Sequence, residues 1–120
     1  MFGWFRKKSA RIEPEARWTV TVDDHSIRVT DEAGMTRELV KSELSGILIT
    51  TNDTGPWGSD VWWQLFGAEG QLACAFPVGA TGDVVVVDYL TALPGFDHRE
   101  MIKAMRSTEN AFFPVWRRQV

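Results

Sequence analysis

Residues 61–67, VWWQLFG, constrain the fold more than any other stretch of the chain. On a pleated strand, successive side chains point to opposite sides. Val61, Trp63 and Leu65 then face one way, and Trp62, Gln64 and Phe66 the other. Ala68-Glu69-Gly70 makes a tight connection to a second run, Gln71 to Phe76. That run places Leu72, Cys74 and Phe76 on one side, and Ala73 and Ala75 on the other. Pro77 closes it, because proline cannot donate to a ladder. A strand apolar on both sides belongs in the middle of a sheet with cover on each side. One face is expected inside a curved sheet and the other under helices, which the small Ala73 and Ala75 would let approach closely. Core packing then accounts for Trp63 and for most of Trp62.

The neighbouring runs supply the rest of the sheet. Trp18, Val20 and Val22 alternate with Thr19 and Thr21, the period-2 pattern of a half-buried strand. Asp23 to Ser26 is a turn, and Ile27 and Val29 alternate with Arg28 and Thr30. Asp31-Glu32-Ala33-Gly34 is a second turn, followed by a more polar strand from Thr36 to Val40. Lys41 to Ser45 is a short polar link. Gly46 to Thr51 is β-branched and reads as a well-buried strand. Asn52 to Asp60, rich in Asn, Asp, Gly and Pro, reads as a loop.

Two helices are expected after the strands. Over residues 82–93, four consecutive valines favour strand by propensity, but the frame around them favours helix. Thr81 can cap, Asp83 lies in the first turn, Val86, Leu90 and Leu93 recur at helical spacing, and Pro94-Gly95 stops the run. In FDHREMIKAM, Asp97 is an N-cap, Glu100 can reach back to it, and Phe96 and Met101 occupy the staple positions. Ile102 and Met105 continue an apolar stripe. Ala111 to Trp116, broken by Pro114, is a last strand at a sheet edge or a docked tail.

A chain of 120 residues can bury one real core. Residues 1–16 lack periodicity and read as a loosely ordered arm, leaving 17–120 as a single α+β domain. No apolar run approaches the ~20 residues that span a bilayer, and the start, MFGWFRKKSAR, has no apolar signal region. Cys74 is the single cysteine, so no intrachain disulfide can form and a cytoplasmic protein is expected. In the arm, Phe2, Trp4 and Phe5 precede Arg6-Lys7-Lys8. That patch can touch an anionic membrane surface weakly, or its aromatics can pack on the domain.

Charge is unevenly spread. Residues 19–98 hold three basic and twelve acidic side chains, a net −9, whereas 1–18 and 99–120 are each +3. An acidic body repels a phosphate backbone, so no nucleic-acid partner is expected. It favours a basic protein partner.

Catalytic and metal-binding patterns are missing. His25 and His98 stand far apart in sequence, and no HExxH or CxxC spacing occurs. Asp23-Asp24-His25 reads as a solvated hairpin tip. Asp53 and Asp60 flank a loop but fit no calcium-loop pattern. Cys74 in LACAF reads as a small buried hydrophobe. PVGATGD lacks the lysine of a P-loop and the GxGxxG spacing. No cofactor, metal or catalytic residue is expected. The binding candidates are Trp57, lifted by a Gly-Pro-Trp-Gly turn, with Asp53, Asp60 and Trp62. Loops concentrate binding residues, and tryptophan is enriched among interface hot spots. Folding back as a lid over the sheet edge is the other reading of Trp57.

The segments ITTNDTGPWGSDVWW, FPVGATGD, LPGFDHREMIKAM and STENAFFPVW, in that order, resemble a family of small uncharacterised bacterial proteins. Its pattern is a TTD-x-GP loop, a P-x-GA-x-G turn, an LPGFD helix start and an ST-x-N…F…W tail. The resemblance covers roughly residues 45–116, with LPGFD and STEN its most specific parts. The family carries no established activity, so the resemblance transfers no catalytic residue. This chain reads NDTGPW where relatives often show a plain TTD-x-GP with phenylalanine.

The expected architecture is α+β. Five or six mostly antiparallel strands form a strongly bent sheet or partly open barrel, with two C-terminal helices against it. The outline is similar to a pleckstrin-homology-like shell, from which the two-helix end departs. The expected function is non-catalytic protein binding, of the kind an immunity partner gives a bacterial toxin. The alternative is a ligand- or lipid-binding shell with a cavity lined by Trp63, Leu65 and Phe76.

Overall fold

A computed structural model describes residues 17–55 and 58–119, the side chains of 53–60 excepted. The fold is α+β, with antiparallel strands in two separate sheets that do not close into a barrel. The chain runs β1 (Thr19–Val22), β2 (Ser26–Thr30), β3 (Thr36–Val40), β4 (Gly46–Gly55), β5 (Gly58–Phe66), β6 (Leu72–Pro77), α1 (Asp83–Thr91), α2 (His98–Arg106) and β7 (Ala111–Arg117). The small sheet has the order β1-β2-β3, and the large one β6-β5-β4-β7. The small sheet meets the large one along β6, through β2 and β3. The arm, residues 1–16, lies outside the described residues.

Sequence decides most of these joins. Asp23 forms the first turn by accepting the amides of His25 and Ser26 on Oδ1, each at 2.8 Å. Asp31 does the same for Ala33 and Met35 at the second turn. The segment expected as a loop at 52–60 is largely ladder instead. Asn52 pairs with Asp60 and Gly55 with Gly58, across a register shift. Pro56 and Trp57, between the two strands in sequence, lie outside the described residues.

Helix α1 forms despite its four valines. Val20 N donates to Thr81 O at 2.9 Å, and Thr81 N donates to Trp18 O at 2.8 Å. Among the described residues, one parallel bridge, Thr19 to Thr81, is all the strand pairing this segment obtains. Gly82 then turns the chain away at φ +88°, where a Cβ would collide with the carbonyl oxygen of Val20. The N-cap is thus Gly82, with no side-chain cap bond, and not Thr81. Asp83 Oδ2 instead accepts the Gly79 amide at 2.8 Å.

In α2, Asp97 caps as its sequence predicts, Oδ1 accepting from Glu100 N at 3.0 Å. The Glu100 carboxylate accepts from Lys103 Nζ at 2.9 Å. Phe96 is buried and Met101 packs on the core. The helix buries Ala104, while Ile102 and Met105 are exposed and do not form the expected inward stripe. Packing over β7 and β4 selects the small alanine, which lets the helix approach closely. The last strand, β7, pairs with β4 at the sheet edge, with a bulge between Pro114 and Trp116.

One core cluster unites both sheets and both helices. Its centre is Trp63, stacked on Phe76 with centroids 6.3 Å apart and on Phe96 at 6.2 Å. Trp63, Leu65 and Phe76, expected to line an internal cavity, are packed among core side chains at 1%, 0% and 0% exposure. Among the described residues, no helix is long and apolar enough to cross a membrane.

Candidate functional site

The large sheet has two very different faces. On one, Ile47, Ile49, Trp63, Leu65, Cys74 and Phe76 are all buried. Phe96, just before the α2 cap, stacks on Trp63 from this side, and residues of α1 and α2 form a groove with Trp63 at its floor. Both helices therefore lie on the Trp63 side. This corrects the expectation that helices and curved sheet cover opposite faces.

The other face is read from the ladder, because residues paired across strands share a side. Its first row is Pro77, Trp62, Thr50 and Phe112. Its second is Ala75, Gln64, Leu48 and Pro114. Its third is Leu72, Phe66, Gly46 and Arg117. Trp62, Leu48 and Phe66 are half-buried. Phe112 is 74% exposed and Leu72 52%. Leu48, Phe66 and Pro114 also line an open depression of ≈ 630 Å³ beside the β7 bulge. Trp62 is therefore not core. Its described aromatic neighbour is Trp18, edge to face at 5.2 Å and 87°.

Of the expected binding residues, Trp62 thus stands on an open apolar face. Trp57 lies outside the described residues, and Asp53 and Asp60 are placed by their backbone alone, on β4 and β5 beyond the Thr50–Trp62 row. Phe112, the most exposed large apolar side chain described, was missed by sequence reading. A signal existed, since Phe112 and Phe113 are adjacent on one strand and only one can face the core.

Other polar side chains form local networks. Asp23, Arg28, Glu38 and Ser26 form a chain on the small sheet. Arg28 reaches Asp23 Oδ2 at 2.8 Å and Glu38 Oε2 at 3.1 Å, and Ser26 Oγ donates to Glu38 Oε2 at 2.7 Å. The backbone amides of His25 and Ser26, with Arg28, hold the Asp23 carboxyl far below the usual carboxylate range. The same hydrogen bond to Asp23, with the nearby Glu38 charge, raises the pKa of Arg28. Burial pushes the Cys74 thiol up to about 11, away from nucleophile duty. Among the described residues, no three His, Cys, Asp or Glu side chains stand together to hold a metal ion.

The sequence patterns that carry the resemblance also serve the fold. Pro94 O accepts from Trp116 Nε1 at 2.8 Å, and Asp97 N donates to Val115 O at 2.7 Å. Thr51 Oγ1, buried, donates to Glu109 O at 2.6 Å, which ties β4 to the turn after α2. Gly82 satisfies the close approach to Val20. The open face is what these structural duties leave unclaimed. No protein-family model, curated protein or solved structure matches the chain.

Proposed function

We propose that the chain is a non-catalytic binding domain whose Trp62 face docks a basic protein. The observation that carries this reading is the apolar face of half-buried Trp62, Leu48 and Phe66, with Phe112 74% exposed at its rim. Large exposed apolar patches mark interaction sites on soluble proteins. A protein is the proposed occupant because the apolar rows run across four strands, well past the open ≈ 630 Å³ depression at one end of them. A basic partner is proposed from the net −9 of residues 19–98, although the face's own edge strand, β7, ends in Arg117. Opposite charge speeds encounter, and a buried aromatic centre holds the complex. A toxin countered by its immunity partner is the specific case of this reading.

Capture from host extract followed by mass spectrometry names the partner, and titration of the purified partner tests the face. Phe112→Ser and Trp62→Ala are expected to weaken binding by at least ~2 kcal/mol each, the hot-spot threshold. Raising salt should slow association with little effect on dissociation. Wild-type affinity in both variants would overturn the proposal.

A further inference from the structure

A second apolar surface lies on the opposite side of the large sheet, between α1 and α2. Trp63 forms its floor, and Val84, Val87, Met101 and Met105 its walls. Asp83 and Asp88 sit on the rim. Val84 is 68% exposed and Met105 43%. Its volume, ≈ 210 Å³, falls below the ~300–1,000 Å³ of small-molecule pockets. It suits one or two large side chains better than a free ligand.

We propose that the occupant is the chain's own amino-terminal segment, with one or two of the rings of Phe2, Trp4 and Phe5 in the groove and Arg6, Lys7 and Lys8 against Asp83 and Asp88. Three observations converge. The segment's composition complements the groove, aromatic for the walls and basic for the rim. The described chain begins within reach of it, since Trp18 O accepts from Thr81 N at 2.8 Å, two positions before Asp83, while the Trp18 ring meets Trp62 on the other side. The length suffices, since the dozen residues between Phe5 and Trp18 span up to about 40 Å when extended. Docking would cover the exposed valine and methionine surface and neutralise part of the acidic rim. The inference is independent of the role proposed for the Trp62 face, which lies across the sheet.

The test is a spin label on a cysteine introduced by Gly3→Cys, read as amide signal loss by NMR in the full chain. Cys74 does not compete for the label, being 2% exposed with its thiol pushed up to about 11. The proposal expects signal loss concentrated at Val84–Asp88 and Met101–Met105, with Thr36–Val40 unaffected. The loss should fade in high salt, and in a Val84→Lys, Asp88→Lys double variant whose circular dichroism matches the parent. Loss spread evenly, centred on the Trp62 face or indifferent to the double variant would overturn it. So would groove amides left sharp while the labelled chain binds phosphatidylserine vesicles, because the arm would then serve a membrane.

Discussion

Trp62 and Trp63 are neighbours in sequence with opposite duties. Trp63 is 1% exposed and stacks between Phe76 and Phe96, whereas Trp62 lies on the other face, in edge-to-face contact with Trp18. Strand alternation alone produces the division. It makes the pair a controlled comparison, since the same substitution at adjacent positions probes core and surface.

Trp63→Ala is expected to cost ~3–5 kcal/mol, the usual loss for a buried aromatic truncated to alanine. Trp62→Ala should cost far less, on the order of the ~0.5–1.5 kcal/mol of an aromatic pair plus modest burial. Urea midpoints of the two variants check this, and equal losses would contradict the two-faced sheet.

Gly82→Ala is expected to destabilise by at least ~1–2 kcal/mol, from the left-handed backbone alone. Its new Cβ would also strike the Val20 carbonyl. Gly34 has nearly the same φ, +89°, with nothing near a Cβ. Gly34→Ala therefore supplies the strain without the collision. Denaturation midpoints should place Gly82→Ala well below Gly34→Ala.

Asp97→Ala should cost ~1 kcal/mol by removing the α2 cap. Asp97→Asn should recover most of it, because an amide oxygen can still accept from Glu100 N. Guanidinium melts of the three proteins decide the matter, and an alanine variant as stable as the parent would refute the cap's role.

Asp23 makes stability depend on pH. Its folded pKa is lowered, so the unfolded chain takes up the proton first as pH falls. The contribution is fully present above the unfolded value of ~3.9 and is lost progressively below it. Asp23→Asn should therefore show a shallower fall in urea midpoint below about pH 4 than the parent. Parallel curves would show that the turn amides and Arg28 do not hold this carboxylate.

Local chemistry was the legible part of the fold. The Asp97 cap, the turns and the alternation at Trp18–Val22 and Val61–Phe66 each depend on a few adjacent residues, and each was readable. Ile102 and Met105 were misread because helical spacing defines a face but not which face meets the sheet. Contact with β7 and β4 decided that, and it chose Ala104. Thr81 looked like a cap because its type is right, but its backbone is committed to Trp18 and Val20, more than sixty positions away. For the candidate site, the apolar character of both faces of β5 was evident. That both helices would settle on one of them is a tertiary outcome, invisible to periodicity.

An apolar sheet face left open to water invites a different danger, that of copies adding strand to strand until the sheet grows without limit. Edges, more than faces, template such growth. Here β6 is met by β2 and β3. At the other end, β7 carries Pro114, which has no amide to donate, beside the Val115 bulge. Restoring a donor there, by Pro114→Val, would test how far this proline, apart from the bulge, keeps the edge from templating such growth.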